Sequence, residues 1–161
     1  MKILTFLSLL GLVTIYSCSK DSNDSKLELN GEDNLVFGSY AGECPPQDCG
    51  DIFKLNSNSL YKDVTTQFTS GNWMENPANL VVLSNDKFLL AKDLLNNFPS
   101  SILNEERRIG NPGELDGFTF YVQLTKNGET KIWEIDDRPE KIPSKYRIFL
   151  QKLKDKMTQL Q

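Results

Sequence analysis

Two stretches of alternating apolar and polar residues read as paired strands. Ile52-Phe53-Lys54-Leu55 and Ser59 to Val64 flank the turn Asn56-Ser57-Asn58, which is a hairpin signal. Phe118 to Leu124 and Thr130 to Ile135 flank Lys126-Asn127-Gly128-Glu129, and Asn-Gly is the strongest short hairpin signal. In the second arm, Ile132 and Glu134 fall on one face and Trp133 and Ile135 on the other. Leu35-Val36-Phe37 predicts an earlier strand running into Gly38, and Leu80 to Leu83 a short strand of the buried type. A different period marks the helices. Phe88, Ala91, Leu94, Leu95 and Phe98 recur at helical spacing, which predicts a helix from about Asp86 to Asn97. Ser84 or Asn85 caps it and Pro99 stops it. Ser100 to Glu106 adds a second short helix, and Ile109 to Gly113 is a tight loop. Thr65 to Asn79 shows no clear period; Gln67-Phe68-Thr69 reads as an extended stretch, and Gly71-Asn72 and Asn76-Pro77 as turn signals. A last helix starts at Pro143 or Ser144, and Tyr146, Phe149, Leu150, Leu153, Met157 and Leu160 form its single apolar stripe. The expected class is α+β: an antiparallel sheet of hairpins covered by two main helices.

The start of the chain follows neither period. Lys2 is followed by a run from Ile3 to Tyr16 that is apolar apart from Thr5, Ser8, Gly11 and Thr14. The run is too short to span a bilayer, and Ser19-Lys20-Asp21 ends it abruptly. This is the layout of a secretory signal peptide. Ile15-Tyr16-Ser17-Cys18 resembles a bacterial lipobox, with an aliphatic residue at −3, a small one at −1 and a cysteine. The resemblance implies cleavage before Cys18 and acylation of its thiol, with several chains giving stable anchoring. Tyr16 is bulkier than the pattern usually holds at −2. The competing reading is an ordinary signal with a chance cysteine. Cys18-Ser-Lys-Asp also resembles lipoproteins of the Bacteroidetes group, in which acidic residues after the cysteine favour the cell surface. The expected organisation is residues 1–17 as signal, 18–33 as acylated cysteine and flexible acidic tether, and 34–161 as one domain. Low hydrophobicity and net negative charge in Ser19 to Asp33 support the tether.

Removing the signal leaves 144 of the 161 residues, enough for one domain and its tether. The net charge of −4 becomes about −5 without Lys2, which offers no electrostatic case for nucleic acid. Of the 3 cysteines, Cys44 and Cys49 remain. In an oxidising envelope they would pair, closing a ring worth ~2 kcal/mol or less. Free or redox-active thiols, intermolecular pairing and metal binding are the other readings. Zinc needs about four ligands, and the chain has no histidine. The same absence removes Ser-His-Asp and Cys-His catalysis. No phosphate loop, nucleophile elbow or dinucleotide fingerprint occurs. No cofactor and no metal are expected.

Four groups of residues could carry a function. Tyr40 to Cys44 and Cys49 to Phe53 resemble an element near the start of small uncharacterised Bacteroidetes lipoproteins, which implies kinship of fold only. Its loop would present Pro45, Pro46 and Gln47 to a partner, or merely staple the first strand to the hairpin. Trp73 and Trp133, with Tyr121 and Phe120, could line a sugar- or peptide-binding face, or could be core. Glu134, Asp136 and Asp137, with Glu114 and Asp116, could serve as acid and base or bind calcium. Arg138 and Lys141 nearby favour salt bridges at a strand end and helix start instead. The last helix carries six basic residues from Lys141 to Lys156 against Asp155. It reads as a membrane-surface helix or, preferably, as a cover for the sheet with a solvated lysine face. Together these point to a non-catalytic protein, held to the membrane by its N-terminal lipid and binding an envelope or surface macromolecule. A small-ligand, peptide or glycan-binding lipoprotein of an uptake system is the alternative, and a carboxylate-dependent hydrolase the third reading. The sequence sets no oligomeric state.

Overall fold

A computed structural model describes residues 26–41, 50–64, 79–114 and 117–161. Strand β1 is Asn34–Ala41, β2 Gly50–Leu55, β3 Leu60–Asp63 and β4 Leu80–Val82. Helix α1 is Asn85–Lys92. Strand β5 is Arg108–Ile109, β6 Phe118–Lys126 and β7 Glu129–Asp136, and helix α2 is Ser144–Leu160. The strands form one sheet in the order β4-β3-β2-β1-β6-β7-β5. Every pairing is antiparallel except that of β5 with β7. The α+β class therefore stands, with a mostly antiparallel sheet. The expected loop at Ile109 is in part a strand.

β1 lies at the centre of the sheet, and this explains its composition. Leu35 and Phe37 enter the main core, whereas Val36 faces the other way and is buried with Ile52 and Tyr121. A strand buried on both faces reads as an unbroken apolar run rather than an alternation. The main core joins one sheet face to the helices: Phe37, Phe53, Leu60, Val122 and Ile135 meet Phe88, Leu94, Phe149 and Leu153. The expected stripe of α2, from Tyr146 to Leu160, is buried in full. The helix covers the sheet, and Ile148 on its outer side is 72% exposed.

The β6–β7 turn has the expected chemistry. Asn127 has φ 53° and Gly128 φ 81°, the left-handed pair that matches the twist of a hairpin. Helix α1 is shorter than its apolar spacing predicts, and Asp93–Asn97 continues as a 3-10 turn. The Asn97 side chain donates to the Asp93 backbone carbonyl, offering it an alternative to the α pattern, and the Asn96 side chain donates to the Asp93 carboxylate. Pro99 then disfavours helical geometry at Phe98. Ser84 is the cap, accepting from the Lys87 amide at 3.4 Å.

Two expectations are corrected. Leu80–Val82 is an edge strand, and Val82 is 60% exposed, because it pairs with β3 alone among the described residues. Part of the supposed tether packs on the domain: among its described residues, Leu27 and Leu29 belong to the core. The Leu27 amide donates to the Leu95 carbonyl at 3.0 Å. The buried Asp33 accepts from the Asn30 amide at 3.1 Å and the Asn127 amide at 2.8 Å. These contacts span 94 residues for Asp33 and Asn127, so no local pattern announces them. Leu27→Ala or Leu29→Ala should each cost about 2 kcal/mol or more in urea unfolding. Values near zero would return this segment to the tether.

Candidate functional site

Most residues proposed from sequence as a site lie outside the described residues: Cys18, Cys44, Cys49, Pro45, Pro46, Gln47 and Trp73. Trp133 is described, and it is not a surface residue. It is 1% exposed, and its ring meets Phe98 edge-on with centroids 6.3 Å apart. Phe98 in turn meets Phe149 of α2 at 5.6 Å. Trp133 thus links the sheet to the helical layer through Phe98. Its neighbours from the proposed aromatic face divide in the same way. Phe120 is in the main core, while Tyr121 is buried on the opposite side, donating to Gln123 Oε1 at 2.5 Å.

The carboxylates are tied up by arginines. Glu134 accepts from Arg107 at 2.8 Å and 3.1 Å. Asp136 is 1% exposed and receives the Arg138 guanidinium through both oxygens, at 2.8 and 2.9 Å. It also accepts the backbone amides of Arg138 and Asn111, at 2.9 and 3.0 Å. Arg138 reaches on to Glu114 at 2.9 Å. The network fastens the loop after β5 to the end of β7. The side-chain hydrogen bonds from Arg138, with the backbone donors, hold the Asp136 carboxyl down at about 2. Glu114 is lowered by the same guanidinium, and Arg138 is raised in return. A carboxylate that saturated is neither a free base nor an open metal ligand. Asp116 lies outside the described residues, and among those described no group of three or more acidic, cysteine or histidine side chains could hold a metal. The expected salt-bridged strand end describes Glu134, Asp136 and Glu114.

A cleft of about 470 Å³ lies elsewhere, at the tip of the β6–β7 hairpin. The pairing register builds it. Along the core face of the hairpin, Phe120 faces Ile135, Val122 faces Trp133, Leu124 faces Lys131 and Lys126 faces Glu129. The apolar ladder therefore runs out of the core and turns charged. Residues 26–27 and the 3-10 turn Ser100–Asn104 flank this end. Leu27, Phe98, Leu103 and Leu124 supply apolar lining, and Lys26, Lys126, Lys131 and Glu129 supply charge. Lys126 Nζ donates to the Glu28 carbonyl at 3.1 Å and Lys131 Nζ to the Leu103 carbonyl at 2.8 Å. These bonds hold the two ammonium groups beside the opening without neutralising them. A pocket of this size, mostly apolar with a few placed polar groups, has the character of a small-ligand site.

Sequence reasoning missed the cleft. Half of its signal is local, because Leu124, Lys126, Glu129 and Lys131 surround a recognisable turn. The other half comes from Leu27 and Leu103, brought in by tertiary packing. The basic face of α2 holds the helix in place in part: Lys156 pairs with Asp93 at 3.2 Å, Lys145 with Glu105 at 2.8 Å, and Lys152 donates to Asn97. Lys87 Nζ caps the far end by donating to the Leu160 carbonyl at 2.6 Å. Comparison with protein-family models, curated proteins and solved structures gives no match.

Proposed function

We propose that this chain is a lipid-anchored, non-catalytic binding protein of the cell envelope, tethered through Cys18 and binding its ligand on the α+β domain. The cleft at the hairpin tip carries the binding half of the reading: it is open, apolar inside and edged with fixed ammonium groups. The pairing of Glu134, Asp136 and Glu114 with arginines supports a non-catalytic role. The anchor rests on the pattern from Met1 to Asp21. Among the described residues no helix is long and apolar enough to cross a membrane. The cleft favours a small ligand over the macromolecular partner that Pro45, Pro46 and Gln47 would serve, since it is concave and pocket-sized.

The test begins with cell fractionation. The wild-type chain should incorporate labelled palmitate and sediment with membranes, and Cys18→Ala should do neither. Equal behaviour of the two chains would remove the anchor. Purified protein should then show a rise in melting temperature with a bound ligand and no turnover. A hydrolytic activity abolished by Glu134→Gln would overturn the binding reading.

A further inference from the structure

We infer that the hairpin-tip cleft is a site for a small amphipathic anion, an aliphatic or aromatic body bearing one carboxylate or sulfonate; this rests on the binding reading above and names its ligand. Three observations converge. The inner wall is Phe98, held from behind by Trp133 and Phe149, so the apolar surface is rigid and already formed. Leu27, Leu103 and Leu124 extend it. An apolar body entering there gains burial without having to order the wall.

The charge around that wall is unbalanced. Among the lining residues Lys26, Lys126 and Lys131 stand against Glu129 alone, which faces Lys126 across the hairpin register; with Asp33 just behind the turn also acting on Lys126, the balance is still one positive charge in excess. Neither Lys126 nor Lys131 spends its charge on its hydrogen-bond acceptor, since both acceptors are backbone carbonyls. An ammonium has three donors, so each lysine can keep its carbonyl and still meet an anion. The carbonyl bonds fix the ammonium positions on opposite flanks: Lys126 is held to residue 28 and Lys131 to residue 103. The chain as a whole is acidic, so a local cationic excess around a cleft lined by apolar side chains departs from the surface average. Such an excess attracts anions at low salt and is screened as ionic strength rises.

The experiment uses the full chain in lipid nanodiscs, with empty discs as the reference for partitioning. The chain is labelled biosynthetically with ¹³C,¹⁵N-lysine, leaving the ammonium groups unmodified, and the lysine side-chain resonances are followed by NMR while octanoate, octanol and octylammonium are titrated in turn. Octanoate should shift the resonances of Lys26, Lys126 and Lys131 at saturating fractions that octanol reaches only at tenfold higher concentration or more. Octylammonium should bind more weakly still. Raising salt from about 0.05 to 1 M should weaken octanoate severalfold and leave octanol unchanged. A triple variant, Lys26→Gln, Lys126→Gln and Lys131→Gln, keeps side-chain donors for the carbonyls and removes the charge. It should lose the preference for octanoate with its melting temperature within a few degrees of wild type. Should the triple variant fail to fold, Lys131→Gln alone should reduce the preference.

Equal binding of octanoate and octanol at the cleft would overturn the anionic class and leave the binding reading standing. Shifts confined to lysines away from the cleft, or no shifts at all, would overturn the site. In that case a ligand or partner recovered by affinity capture would still separate the two failures.

Discussion

Trp133→Ala is expected to destabilise the domain by about 3–5 kcal/mol, the range for removing a buried large aromatic. Its ring is fully enclosed and makes an edge contact with Phe98, and such pairs add to the burial itself. For a domain of this size the loss corresponds to roughly 10–20 °C in melting temperature. Trp133→Phe should cost less, because it keeps most of the apolar contact while leaving a partial void. Chemical denaturation with a common slope for the three proteins would measure this. A surface tryptophan serving a ligand would behave in the opposite way, with stability nearly unchanged and affinity lost. That result would place Trp133 back on a binding face. Since Phe98 lines the cleft, Trp133→Phe should alter ligand affinity only by loosening the wall.

Arg138→Ala is expected to destabilise the domain at neutral pH, since it leaves the buried Asp136 carboxylate without the partly exposed guanidinium that pairs with it. Asp136 would keep its two backbone donors, which limits the loss. The pH dependence carries the sharper signature. The folded-state value of Asp136, about 2, lies below its ordinary 3.8. The stabilisation is therefore complete above pH 5 and is lost as pH falls from about 4 through 2. Its size is roughly 2 kcal/mol. Asp33, Asp93, Glu105 and Glu114 are lowered as well, so the whole domain should weaken in acid with the same sign. Asp136→Asn should flatten the acid limb between pH 4 and 2, and a limb as steep as the wild type would disprove the assignment. Gly110 belongs to the same device. Its φ is +78°, and an added Cβ would lie 2.7 Å from Asp136 Cβ. Gly110→Ala should therefore disturb the network without touching a charge.

How far the sequence could be read depended on the range of each contact. The stripe of α2 was legible because residues three and four apart share a helix face whatever lies opposite. The Asn127-Gly128 turn was legible because two left-handed residues satisfy a local geometric need. The pairing of the acidic residues near Glu134 with arginines was legible in kind, since Arg138 follows Asp136 by two positions. α1 was legible only in part: its apolar spacing continues past Lys92, but the chain tightens to a 3-10 turn in which the Asn97 side chain takes the Asp93 carbonyl.

What failed was non-local. Alternation along β7 separates Trp133 from Ile132 but cannot say which face receives the helices, so the same pattern allowed a core residue or a binding residue. The acidic segment before Asn34 has the composition of a tether, yet Leu27 and Leu29 find the core. Asp33 meets amides on both sides, one of them in a hairpin 94 residues away. The apolar run at Leu80 reads as buried because hydropathy does not report position in a sheet, and the strand order puts it at the edge. By itself the sequence determined the helical stripe, the hairpin turn and the α+β class, from signals a few residues long. Only the tertiary structure decided which sheet face is core, that Leu27 and Leu29 join it, and where the cleft opens. Those depend on chain segments brought together across the whole domain, and the free energy that selects them is burial, which no short window contains.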